Sequence, residues 1–139
     1  MNAKEYLSQA KYLDMRINSK LEQLESLNLL ATKATSVLTG MPHSPSKSIS
    51  PMADAVVKII ALQEEINQDI DDLVDTKQKI TKTIKGIQNV EFQTILEKRY
   101  LCFFSWEQIA ATMNYDIRWL HRLHGKALEE VQTLLDKSA

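Results

Sequence analysis

From its third residue the chain steps forward by three and four in alternation. Ala3, Tyr6, Ala10, Leu13, Ile17, Lys20, Leu24, Leu27, Ala31, Ala34 and Leu38 carry the step, with Lys20 as its only charged member. That spacing is a heptad seam, and it commits the segment to a long helix with one face against a partner. A second seam follows: Met52, Val56, Ile59, Gln63, Ile66, Ile70, Leu73, Lys77, Ile80, Ile84 and Ile87, with Gln63 and Lys77 as exceptions. Between them lies TGMPHSPSKSISP, residues 39–51, whose three prolines and four serines predict a linker or open loop. Two heptad helices joined by a short linker predict an antiparallel hairpin over residues 1–88.

The seams do not use every apolar residue. Leu7, Leu21 and Leu30 flank the first; Val57, Ile60 and Val74 flank the second. A bare hairpin would leave these partly wet, so a second subunit or another part of the chain is expected to cover them. A homo-oligomer, with a dimer favoured, is the expectation. The second helix is acidic early (Glu64, Glu65, Asp69, Asp71, Asp72, Asp75) and basic late (Lys77, Lys79, Lys82, Lys85), an order that suits the helix dipole. These charges read as a solvated face.

Gly86 and Asn89 interrupt the second helix, and most of the aromatic residues come after them. A boundary at about residue 88 is therefore expected, with a C-terminal domain over 89–139. Three helices are predicted there, near 90–102, 105–113 and 117–136. With few glycines and little β-branched alternation, the fold class is all-α.

The remaining composition excludes more than it identifies. The 139 residues carry a formal net charge of −1, so any basic patch must be local. The single cysteine, Cys102, permits no internal disulfide and points to a reducing, cytoplasmic compartment. It is expected in the core beside Phe103 and Phe104. No N-terminal apolar signal and no apolar run of about 20 residues exists, so no membrane partner is expected. No Gly-rich phosphate loop, nucleophile–base pattern or paired acids in a pocket-forming context stand out, so no enzyme activity, catalytic residue or cofactor is expected. His121 and His124 lack a second ligand cluster, so no metal is expected either, and His124 reads as a satisfied, partly buried histidine.

The most informative stretch is SWEQIAATMNYDIRWLHRLHGKA, residues 105–127. Ser105 with Gln108 three residues on forms a capping-box pattern. Asn114 can end that helix in the left-handed region, and Asp116 is a good N-cap for the next. A three-residue break between helices fits a helix-turn-helix. On the second helix Ile117, Leu120, Leu123, His124, Ala127, Leu128, Val131, Leu134 and Leu135 share one face. Arg118 and Arg122 point the opposite way, with His121 on one shoulder and Trp119 and Lys126 on the other. Gly125 also faces outward.

This stretch resembles the fourth conserved region of bacterial primary-type sigma factors, and ILEKRYL before it resembles the helix that leads in. RWLHRLHGKAL is similar to small phage sigma-region-four-like proteins, related to the ArpU and RinA types of late transcriptional regulators. The resemblance covers about residues 90–135. It implies binding of double-stranded DNA, with base-reading positions at Ile117, Arg118, His121 and Arg122. Lys126 would be a further basic contact, and Trp119 would lie along the backbone or on a neighbouring helix. The sigma pattern carries a cation where Ile117 and Trp119 stand and a glycine where Asn114 stands, so the same −35 sequence is not implied. Two other readings stay open: an adapter that docks on RNA polymerase, and a component of phage DNA packaging such as a small terminase subunit.

Overall fold

Helix α1 (Ala3–Gly40) and helix α2 (Pro45–Lys85) make up more than half of the chain. The computed structural model describes the backbone of residues 1–40 and 45–138 and the side chains of 1–33 and 52–138. Three shorter helices complete it: α3 (Val90–Leu96), α4 (Trp106–Met113) and α5 (Ile117–Ser138). A π-helical turn, Glu97–Leu101, continues directly from α3. Among the described residues every regular element is helical, so the fold is all-α. None of these helices is long and apolar enough to cross a membrane.

The two long helices pair antiparallel. The Tyr6 hydroxyl meets the Thr83 hydroxyl at 3.0 Å, and Lys20 Nζ donates to Asp69 Oδ2 at 2.6 Å. The first seam is buried or half-buried at each of its positions from Ala3 to Ala31. Ala34 and Leu38 lie outside the described side chains. The second seam differs in phase from the expected one. Val56, Gln63 and Ile70 are exposed, while Ala55, Leu62, Asp69 and Thr76 turn inward between Ile59, Ile66, Leu73 and Ile80. Burying Leu62 in place of Gln63 favours this phase. Its cost is an acid in the seam at Asp69, offset by the one cation in the facing seam, Lys20.

Of the expected loop at 39–51, residues 39–40 and 45–51 are helical. Helix α1 runs to Gly40 and α2 begins at Pro45, where a missing N–H costs nothing because no helical partner exists for it. Residues 41–44 of that expectation lie outside the described residues.

The compact units do not part at residue 88. One comprises Met1–Leu13 together with Leu73–Ala139; the other comprises Asp14–Asp72. The first has a continuous core in which Ala3, Leu7 and Ala10 of α1 and Ile80, Ile84 and Ile87 from α2 and its exit meet Phe92, Ile95, Leu96, Ile109, Leu120, Leu123 and Val131. Gly86 serves that packing, because a Cβ there would lie 3.1 Å from Leu134 Cδ1. The second unit buries Ile17, Leu62 and Ile66 around the Lys20–Asp69 pair. Leu21, Leu30, Val57 and Ile60 stay exposed in it, Val57 at 65 %.

Candidate nucleic-acid interface

The segment from Ser105 to Asp116 is built from local hydrogen bonds. Ser105 N–H donates to Gln108 Oε1 at 2.8 Å, and Gln108 N–H donates to Ser105 Oγ at 3.2 Å, closing the capping box. Asn114 takes φ 58° and ψ 42°, the left-handed conformation that ends α4. Asp116 then accepts from the Arg118 N–H at 3.2 Å through Oδ2, capping α5. With both ends satisfied, the break between α4 and α5 stays at three residues, and α4 packs on α5. Upstream, the Tyr115 hydroxyl donates to the Glu91 carboxylate, tying the turn to α3. That bond, with some burial, holds the Tyr115 phenol above its usual range.

Helix α5 has two distinct sides. Leu120, Leu123, His124, Ala127 and Val131 are buried against α3 and α4. Arg118, His121, Arg122 and Lys126 are exposed. Ile117 and Trp119 are exposed too, at 38 % and 44 %. Ile117, which the periodicity assigned to the apolar face, therefore sits at the rim of the outer surface, because it opens the helix where no neighbour yet covers it. Gly125 lies on the same outward side, and a Cβ there would meet nothing within 4 Å. The exposed cations fall within the first three turns of α5, the part of a recognition helix that faces base edges when the helix lies in a major groove. His121 is the exception in orientation. Its ring lies 4.9 Å from the Trp106 ring, so it leans towards α4.

Sequence reasoning gave His124 as a satisfied, partly buried histidine but not the partners that gather around it beside this surface. His124 is 8 % exposed, and its Nε2 shares a 2.7 Å hydrogen bond with the Tyr100 hydroxyl. The Trp106 ring stands edge-on to it at 4.5 Å, and the Arg99 guanidinium covers Trp106 at 4.4 Å. Arg99 Nη1 also donates to the Phe104 carbonyl at 3.0 Å. Burial is the main force lowering the His124 pKa to about 4, with Lys4, His121 and Arg99 adding repulsion. Burial likewise pushes the Tyr100 phenol up to about 12, against the opposing pull of Arg99. For those partners the signal in the sequence was ILEKRYL itself, which places an arginine and a tyrosine side by side before an aromatic pair.

A pH dependence follows from the neutral His124. The unfolded chain takes up its proton near 6.5, the folded chain only near 4. The contribution is therefore whole above 6.5 and is lost as pH falls towards 4, by roughly 3 kcal/mol. Denaturant melts of the parent and of His124→Gln between pH 7 and 4.5 should diverge over that window, the variant losing less. Parallel curves would refute a buried neutral imidazole.

Cys102 is exposed rather than in the core. The π-helical turn ends at Leu101 with Cys102 as its cap, and Phe103 follows with φ 62°, so the backbone reverses there and turns the thiol outward. Phe103 takes the inner place and carries Lys11 and Lys77 over its ring, at 5.0 and 4.7 Å.

Residues 49–132 match the family described as Protein of unknown function (DUF1492). The chain belongs to the DUF1492 family. The matched stretch takes in most of α2, all of α3 and α4, and most of α5, so the DUF1492 region spans both the second hairpin helix and the capped helix pair. No curated protein and no solved structure matches the chain.

Proposed function

We propose that this protein is a DNA-binding transcriptional regulator that reads a duplex with the outer side of α5. The reading rests on one observation above the others. Arg118 and Arg122 are exposed on the side of α5 opposite its buried residues, with Lys126 exposed on the shoulder, just after a tight, doubly capped turn. Arg118 and Arg122 would pair with guanine edges, Lys126 would meet a phosphate, and Ile117, Trp119 and His121 would border the contact. The resemblance to sigma-region-four-like phage regulators supports control of late phage genes, an activity of the host cytoplasm. Exposed Leu21, Leu30, Val57 and Ile60 support self-association through the long helices, which would place two heads on two half-sites.

Mobility shifts with random and phage-derived duplexes at two salt concentrations test this reading. Replacing Arg118 or Arg122 with Ala should leave melting nearly unchanged and cost about 1–3 kcal/mol of specific binding. Lys126→Ala should weaken all duplexes alike and reduce the salt slope by about one unit. If both arginine variants bind every duplex as the parent does, α5 is not a reading helix. One observation favours a second reading: Ile117 and Trp119 put exposed apolar surface between the cations. Such a mixture suits docking on a protein such as RNA polymerase, which would be captured without DNA.

A further inference from the structure

The first three turns of α1 return to the C-terminal helices and leave a cavity of about 270 Å³ against the π-helical turn and the start of α4. Lys4 and Lys11 enter it from α1, Arg99 from the π-helical turn, and Trp106 from α4. Ser8 and Tyr12 add hydroxyls. Every charged residue that lines the cavity is a cation. Among the described residues both ion pairs belong to Lys20, so Lys4, Lys11 and Arg99 have no carboxylate partner. Arg99 is nevertheless fixed in place, by the Phe104 carbonyl on one nitrogen and by the Trp106 ring beneath it. Among the described residues its remaining N–H groups have no other protein acceptor.

Three like charges held around a concave, partly apolar space repel one another and focus a positive field into it. Lys4 and Arg99 also lie close enough to His124 to lower its pKa, after burial and together with His121. An anion with several acceptor oxygens would relieve the repulsion and use the free donors. A fixed guanidinium beside two ammoniums, that of Lys11 over the Phe103 ring, and hydroxyls is the donor set that phosphate recognition calls for.

We propose that this cavity binds a phosphate group, supplied either by a small phosphorylated molecule or by the backbone of a duplex. Trp106 joins the cavity to α5, because its ring touches His121. A bound phosphate would thus lie one side chain away from the surface assigned to DNA. The phosphate site itself does not depend on that assignment.

The test uses the full chain with Trp119→Phe, which leaves Trp106 as the only tryptophan. Inorganic phosphate and pyrophosphate, titrated at constant ionic strength, should change Trp106 fluorescence saturably, with chloride as the control. The response should vanish in Lys4→Gln/Lys11→Gln, whose side chains are exposed on α1 and whose folding circular dichroism would verify. It should persist in Arg118→Ala/Arg122→Ala, which separates this site from the α5 surface. A response to free phosphate identifies a small-molecule site. If only duplexes respond, and Lys4→Gln/Lys11→Gln reduces the salt slope for every duplex by about two units, the phosphate comes from DNA. No response to free phosphate, together with unchanged duplex binding by the double variant, overturns the proposal.

Discussion

A fragment of residues 89–139 should be unfolded in isolation, although it contains the whole helix-turn-helix segment. The core of its compact unit takes Leu7 from α1 and Ile80, Ile84 and Ile87 from α2 and its exit, each 2 % exposed or less. Burying each such side chain stabilises by about 1.5–3 kcal/mol, so the four together are worth roughly 6–12 kcal/mol. A domain of ordinary stability has about 5–15 kcal/mol in all. The fragment would also lose the bond from the Ala3 N–H to Gln132 Oε1, which at 2.8 Å joins the start of α1 to α5. Circular dichroism and a proton–nitrogen spectrum of the fragment should show little helix and poor dispersion. Within the full chain, Leu7→Ala should cost about 2–5 kcal/mol, the range for a large core side chain cut to a methyl. Val90→Ala, at a position 72 % exposed, should fall within about 0.5 kcal/mol of the parent. A cooperative melt of the isolated fragment would show that α1 is dispensable to this core.

What the sequence revealed of this molecule follows the range of the forces involved. The capping box at Ser105 and Gln108, the left-handed Asn114 and the Asp116 cap are all local, and each was legible from a few neighbouring residues. The first seam was legible because a single apolar series runs through it. The second offered two phases sharing Ile59, Ile66, Leu73 and Ile80. Ile70 argued for one and Leu62 for the other, and the second also buries Asp69, which is tolerated only because of a lysine 49 positions away. Composition misled at 45–51 because prolines and serines read as loop even where a helix begins. At Cys102 a π-helical turn and a positive φ broke the periodicity on which an inward cysteine depended. The cavity of Lys4, Lys11 and Arg99 has no local signature at all, since it forms only when the first turns of α1 pack beside the π-helical turn.

The Lys20–Asp69 pair should account for the largest single-residue effects in the second unit. Its atoms are 2.6 Å apart, and the side chains are only 18 % and 11 % exposed. Asp69→Leu would leave the Lys20 ammonium with Glu65 alone, 3.9 Å away on a largely exposed side chain. Lys20→Leu would leave the Asp69 carboxylate inside an apolar seam without its cation. Removing one partner of a fully buried pair costs about 3–5 kcal/mol, so the residual exposure here lowers the expectation to roughly 2–4 kcal/mol for each single change. The double variant, Lys20→Leu/Asp69→Leu, should recover that loss and melt at or above the parent, because a continuous apolar seam carries no desolvation cost. Its two single losses would then be far from additive, which is the signature of direct coupling. What the pair contributes in return is register. A slip of one heptad would set Lys20 against Leu62 or Thr76 instead of Asp69, and either alternative strands both charges in the seam. The apolar positions repeat every seven residues and cannot forbid that slip by themselves. Cysteines placed to cross-link only the native register should therefore link fully in the parent and incompletely in the double variant. Additive single losses, or complete cross-linking in the double variant, would show that the apolar residues alone set how these helices pair.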